Sequence, residues 1–451
     1  MRRMKRVAAA LSLALLALAQ PAAAQSILRD AETEAMFDQM AGPLAKAAGL
    51  SPRAVKVVLI NDDSINAFVV GGQTVYVHSG LIYAADNANQ VQGVIAHELG
   101  HIADGHVALG DAAAKPAMGI YLLSMVLGLA TMAAGGGEAG AGILAAGQQV
   151  AMGKFLAFSR VQESTADASG ARYLNDAGVS GRGMIGFFKK LQQQEYRYGL
   201  GEIDPYMQTH PLSGDRIANL AADLQASTSW NAKPDTALEE RFKRVRAKLQ
   251  GYARDPRQTL NAYPDSDTSV YARYARAYAY HKGGYPDKAD AEAAALIARD
   301  PNDPYFQEIQ GQILLEAGKP TEALVPLRAA TQGSRSNPLI ATTLGHALIA
   351  TEDKANYPEA IRVLRTAISR DDQNPFAWYQ LGTVYERTGD TARAALATAE
   401  RASMTGDSRT AAASAAYALA NIAPNTIDWI RAQDIAMTTR NALDDQKKKK
   451  R

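Results

Sequence analysis

The chain contains no cysteine. That excludes a disulfide framework, a thiol nucleophile and lipid attachment through sulfur, and it leaves His, Asp and Glu to hold any tightly bound metal. Histidine is itself scarce, with seven in 451 residues, so any clustering of it carries weight. Charged residues are 21% against 47% hydrophobic ones, the balance of a globular chain rather than a disordered one. A dominant charge sign is missing too. The formal net charge is +2, but nine cations sit at the two ends, as Arg2, Arg3, Lys5, Arg6 and the run 447–451. Setting those nine aside from the 48 leaves 39 basic residues against 46 acidic ones. The body is mildly acidic and gives no case for nucleic acid.

What is there begins with a leader. "MRRMKR" is basic, "VAAALSLALLALA" is apolar, and "PAAAQS" places Ala22, Ala23 and Ala24 before Gln25. The three-part pattern reads as a secretory signal peptide over residues 1–24 rather than a membrane anchor, because the apolar run is short and ends in small residues. Export to the periplasm is the expectation. A length of 451 residues predicts more than one domain. Residues 30–50 pattern as an amphipathic helix, and "AVKVVLIN" (54–61) and "GGQTVYVHSGLI" (71–82) as β-rich runs. The stretch 86–106 reads as a helix with Asn87 as N-cap and Gln90 three residues on. Charged helical stretches follow at 154–174 and 237–250.

From about residue 268 the chain turns to alanine-rich helix pairs with a period. Pro304 and Pro338 are 34 apart, as are Gly311 and Gly345. Pro338 to Pro375 and Gly345 to Gly382 are 37 apart, the extra three residues falling near "DKANY". A period of 34 with small residues at helix crossings is the tetratricopeptide pattern, and stacked pairs of this kind bind along a concave face. Four units are expected, then a less regular helical end.

"HELGH" (97–101) is the densest chemistry in the chain. On a helix, residues four apart share a face, so His97 and His101 can reach one ion, while Glu98 can take a proton from water without being a ligand. Two solvated helix histidines are the plainer alternative. A third ligand must come from elsewhere. His106 lies five residues beyond His101, which on a continuous helix is a different face. "SRVQESTADASGARYL" (159–174) offers Glu163 as the preferred third arm, with Asp167 four residues on to bond the outer nitrogen of a zinc histidine.

HELGH, Glu163-Ser164-Thr165-Ala166-Asp167, Asn66-Ala67-Phe68, "TVYVHSGLI" and "THPLSGDR" (209–216) together resemble the M48 family of zinc metallopeptidases. The leader and the repeats narrow the resemblance to its periplasmic, repeat-bearing members. It implies one Zn2+ per chain on His97, His101 and Glu163, with Glu98 as general base and Asp167 behind the ligands. It implies His210 near the metal, as fourth ligand or transition-state donor, and Arg216 supporting that loop. It also implies that Thr74, Val75, Tyr76 and Val77 form an edge strand for extended substrate, with His78 an unexpected surface side chain there. The implied substrates are unfolded or misassembled outer-membrane proteins, with the outer-membrane assembly machinery engaged through the repeats. The competing class is a repeat-based chaperone or adaptor whose protease is usually silent.

Residues 116–137 carry no charge and could span a bilayer by length. A second apolar stretch runs to Gly153. A helical hairpin packed on the catalytic domain and touching the membrane surface is the expectation, a re-entrant anchor the alternative. The whole reads as mainly α: a zincin-type helical metalloprotease domain with a small β-sheet over 25–255, its apolar insertion at 116–153, then an α-helical tetratricopeptide-repeat solenoid over 264–440 and a charged tail, 441–451.

Overall fold

The computed structural model describes residues 26–133, 137–198, 206 and 210–449. The expected signal peptide, residues 134–136 of the insertion, Thr209 of the THPLSGDR motif and the last two residues of the tail lie outside the described residues. The chain divides into two compact units. One holds Leu44–Asp86 and Gln90–Asn231 with the strand ending at Leu28; the other holds Arg29–Pro43, Asn87–Asn89 and everything from Ala232.

The first unit is built on a sheet of β1 (Ser26–Leu28), β2 (Lys56–Asn61), β3 (Ala67–Val69) and β4 (Thr74–His78), in the order β1-β2-β4-β3. β4 runs parallel to β2 and antiparallel to β3. Its alternation is that of a half-buried strand. Val75 and Val77 are fully buried, while Tyr76 stacks on Phe68 across the strand pair at 5.3 Å. This corrects the reading of Thr74, Val75, Tyr76 and Val77 as an edge. β4 is interior, with both sides hydrogen-bonded, so its backbone is not open to an extended substrate. The cause is β3, a three-residue strand too short to show a period, which folds back over the side expected to be open. His78 is also corrected: it is buried, with Nδ1 2.9 Å from Ser64 Oγ.

After α1 (Ala31–Ala47) and α2 (Ser79–Ala84) comes α3 (Ala88–Ala103), which carries HELGH. Its start is held by Gln90, whose Oε1 accepts from the Asp86 amide at 2.8 Å. Val91, Val94, Ile95 and Leu99 are fully buried, the i, i+3, i+4, i+8 stripe of a core helix. α4 (His106–Ala133) and α5 (Gly137–Asp176) form an antiparallel hairpin, followed by α6 (Arg182–Tyr198) and α7 (Gly214–Ala226). The outer hairpin is not packed on the rest of the first unit as expected: over Lys115–Met132 only 11% is buried. Its helices are apolar all round and close on each other through small residues, Ser124 against Gly147 and Gly128 against Gly140, so their outer faces stay exposed. Lys115–Met132 is long and apolar enough to cross a membrane.

The second unit is helical throughout. α8 (Thr236–Ala253) and α9 (Pro256–Ala262) lead into the pairs α10 (Val270–Lys282) with α11 (Pro286–Arg299) and α12 (Pro304–Glu316) with α13 (Pro320–Gly333). The pairs α14 (Pro338–Ala350) with α15 (Tyr357–Arg370) and α16 (Pro375–Thr388) with α17 (Thr391–Met404) follow, then α18 (Ser408–Asn421) and α19 (Ile427–Lys449). Proline opens many of these helices, where its missing N–H costs nothing, and Asp303, Asn337 and Asn374 cap three of them. The three extra residues of the long period form a 3-10 turn, Lys354–Asn356. The architecture is thus a mainly helical protein with a small sheet and a C-terminal array of helical repeats.

Candidate metal centre

Two close approaches put the site together. A Cβ on Gly100 would lie 2.7 Å from the Ala166 carbonyl oxygen, and one on Gly170 would lie 3.1 Å from the His97 nitrogen. With no side chain at either position, α3 and α5 meet backbone to backbone, and the 97–101 face stands opposite the 163–167 face.

One ligand atom each from His97, His101, Glu163 and His210 lies within 4.8 Å of the others, and all four residues are buried. His101 Nε2 is 3.2 Å from His97 Nε2, and His210 Nδ1 is 3.3 Å from His97 Nε2. The Glu163 carboxylate oxygens lie 3.4 Å from both His97 Nε2 and His101 Nε2 and 3.0 Å from His210 Nδ1. Asp167 stands behind them, its Oδ1 2.9 Å from His97 Nδ1. Arg216 spans the back: Nε and Nη2 donate to Asp167 at 2.7 and 2.9 Å, Nη1 donates to the Pro211 carbonyl at 2.7 Å and lies 3.2 Å from Glu163. Glu98 is fully buried, 3.6 Å from His210 Nε2, and neither of its oxygens has a hydrogen-bond partner among the described residues.

The charges favour a cation at the centre. Burial works against a charged His97, but Asp167 and Glu163 outweigh it and hold its pKa up at about 10. Burial, together with the charge on His97, pushes His101 down to about 2. Burial would raise Glu163, yet His210 and His97 keep it well below the usual carboxylate range. Burial raises Glu98, against the pull of His210 and His97. The donor chemistry gives the same answer. A metal ion would take the place of the proton that these carboxylates otherwise hold on His97: with Asp167 Oδ1 beside Nδ1, the Nε2 lone pair would then face His101 Nε2 and the Glu163 oxygens. Lone pairs that close repel one another unless a cation lies between them, so the residues fit a metal ion.

Three members of the site lie outside the sequence reading. His106 is not on a remote face. Gly105, at φ 70°, ends α3, and the turn brings His106 Nδ1 to 3.0 Å from His101 Nδ1. Tyr206 is fully buried, its ring 4.7 Å from that of His210; its amide donates to the Ile65 carbonyl at 3.3 Å, and its carbonyl accepts from the His210 amide at 2.7 Å. Phe188 sets its ring edge-on to His97 at 5.8 Å. Gly105 and the one-turn spacing from Tyr206 to His210 were the available signals.

Comparison with known proteins agrees with this geometry. Residues 28–223 match peptidase family M48. The chain is 28% identical over 335 residues to the β-barrel assembly-enhancing protease of Escherichia coli (strain K12), covering 70% of this chain and 64% of that protein. It is 31% identical over 178 residues to the metalloprotease LoiP of the same organism, covering 39% of this chain and 64% of LoiP. In both cases the match spans less than two thirds of the relative's length. Among solved structures, 38% of the chain is similar to 88% of YrrB, a TPR protein, at 18% identity and a TM-score of 0.32. Over residues 28–223 the chain is thus similar to peptidase family M48, and relatives that match it there carry the names of proteases.

Proposed function

We propose that the chain is a zinc-dependent endopeptidase of the periplasm, with one zinc held by His97, His101 and Glu163, and that it degrades misassembled or stalled outer-membrane proteins. The observation that carries this reading is the convergence of three imidazoles and a carboxylate on one buried point, beside the unpartnered Glu98. Support for the substrate class is the likeness to a β-barrel assembly-enhancing protease, and for the compartment the leader at 1–24. When bound, zinc supplies Lewis acidity to a carbonyl oxygen and to water.

The protein's own groups do the rest. Asp167 keeps the His97 proton on Nδ1 so that Nε2 faces the centre, and Arg216 anchors Asp167. Glu98, secluded and with a raised pKa, takes a proton from the attacking water and returns it to the leaving amine. We assign this chemistry to residues 25–255, and recruitment of the outer-membrane assembly machinery to the repeats of 264–440. The apolar hairpin at 116–153 rests on the membrane, an assignment supported by its exposed Leu122, Leu123, Val126 and Leu127. With β4 interior, extended substrate would pair at the β3 side of the sheet instead.

Glu98→Gln should keep about one zinc per chain, because the base is not a ligand, and lose proteolysis; His97→Ala with His101→Ala should lose the zinc. Wild-type zinc in the double variant, or wild-type cleavage by Glu98→Gln, would overturn the assignment. A second reading, an adaptor whose protease is usually silent, is favoured by one observation: His210 Nδ1 lies inside the ligand set, where substrate water would bind. Full rescue of a deletion strain's outer-membrane defect by Glu98→Gln would decide for the adaptor.

A further inference from the structure

We infer that His106 is a positioning residue for the metal centre: it accepts the Nδ1 proton of His101 and so fixes the tautomer that turns Nε2 toward the ion. The inference rests on His101 being a ligand, as proposed above. His97 and His101 face the same point with the same atom, Nε2, at 3.2 Å from each other. Each therefore needs its proton on Nδ1. His97 has a carboxylate for it, with Asp167 Oδ1 at 2.9 Å. Among the described residues, no carboxylate is recorded at hydrogen-bond distance from His101 Nδ1. The group at hydrogen-bond distance from its Nδ1 is His106 Nδ1, at 3.0 Å, with the two rings nearly perpendicular at 72°.

Two facing ring nitrogens can share only one proton. If His106 carried it, His101 would hold a lone pair at Nδ1 and, when neutral, a proton on Nε2, aimed at the other ligands. Ligation therefore requires the opposite assignment: His101 Nδ1–H donates, and His106 accepts with its own proton on Nε2. The placement is built by the backbone. Gly105 in the left-handed region donates its amide to the Ile102 carbonyl at 3.2 Å and turns the chain out of α3, and Asp104 is pinned to α5 by Ser169 Oγ at 2.9 Å. His106, the first residue of α4, is thereby held back over the ring it supports, and it is buried.

A partner behind a ligand acts on affinity for the metal, so zinc binding is the direct readout. In the full chain carrying Glu98→Gln to prevent cleavage, zinc affinity is measured by competition with a chromogenic chelator. His106→Leu should weaken zinc by about 10–100-fold. His106→Asn, whose amide oxygen falls where Nδ1 lies, should restore most of the loss. His106→Gln, whose oxygen lies one bond further out, should not. Should His106→Leu fail to fold, the split between Asn and Gln carries the test alone. Zinc affinity unchanged in His106→Leu, or lost equally in Asn and Gln, overturns the role of His106 while leaving the metal site standing. A parent protein that binds no zinc overturns the metal site itself.

Discussion

On the proposed reading, His210 decides whether the metal centre is open to water. Its Nδ1 lies 3.0 Å from Glu163 and 3.3 Å from His97, among the ligand atoms rather than beside them. The Tyr206 ring lies against the His210 ring at 4.7 Å, tilted by 31°, and the Tyr206 amide donates to the Ile65 carbonyl, so His210 is held from Tyr206. An imidazole there takes the position that water needs, so the expected effect of His210→Ala is higher activity, including self-cleavage, with zinc content intact. A donor to the transition state would give the opposite sign, with turnover falling by roughly a hundredfold or more. Initial cleavage rates on an unfolded protein, normalised to bound zinc, separate the two; unchanged rates would support neither. The latch was left open in the sequence because "THPLSGDR" sets the stiffness of a loop but not the distance of His210 from the 97–101 helix, which lies over a hundred residues away in the chain.

At the scale of elements, the hairpin of α4 and α5 departs from ordinary soluble packing. Leu123 and Val126 are 61% and 65% exposed, and the stretch around them holds no charge to keep it in water. A side chain of this size gains about 1.5–3 kcal/mol on leaving water, so several acting together favour a lipid surface strongly. Leu123→Asp with Val126→Asp should lower co-sedimentation with phospholipid vesicles severalfold and leave zinc content unchanged. Equal sedimentation of wild type and variant would remove the membrane contact. The apolar run was legible in the sequence. Its packing was not, because composition does not say whether small residues such as Gly128 and Gly140 meet each other or the rest of the domain. The same limit hid β3: three residues cannot display a two-residue period, and its pairing turned an expected edge into an interior strand.

At the scale of the molecule, the second unit is tied together by buried charge drawn from distant parts of the chain. Glu32 accepts from Tyr274 Oη at 2.8 Å and pairs with Arg244 at 2.8 Å; Arg244 also reaches Asp303 at 2.7 Å, and Lys248 pairs with Asp30. Glu308 belongs to this cluster with one buried oxygen that has no hydrogen bond among the described residues. Burial pushes its pKa up to about 8, against the pull of Lys248 and with the repulsion of Asp30 and Glu32. An acid raised in the folded state keeps its proton there after the unfolded chain has lost it. Its contribution is therefore fully present below the ordinary glutamate value of about 4.3 and declines as pH rises toward 8. Thermal melts of the full chain between pH 5 and 8 should show wild type losing on the order of 3–4 kcal/mol more stability than Glu308→Gln over that window. Parallel pH slopes would show that the carboxyl ionises freely.

By itself the sequence determined the periodic and the local. Helix phase set His97, Glu98 and His101, and the carboxylates of 163–167, on their faces, and a 34-residue period set the helix pairs, because both depend only on spacing along the chain. Tertiary structure decided what depends on the distance between segments. It set the approach of α3 to α5 across Gly100 and Gly170, and the entry of His210 and of Arg216, in the first turn of α7, from later in the chain. It folded His106 back past Gly105 and closed the sheet around β4. The physical reason is that spacing fixes which way a side chain points from its own backbone, whereas the point at which side chains meet is set by close packing between backbones remote in sequence.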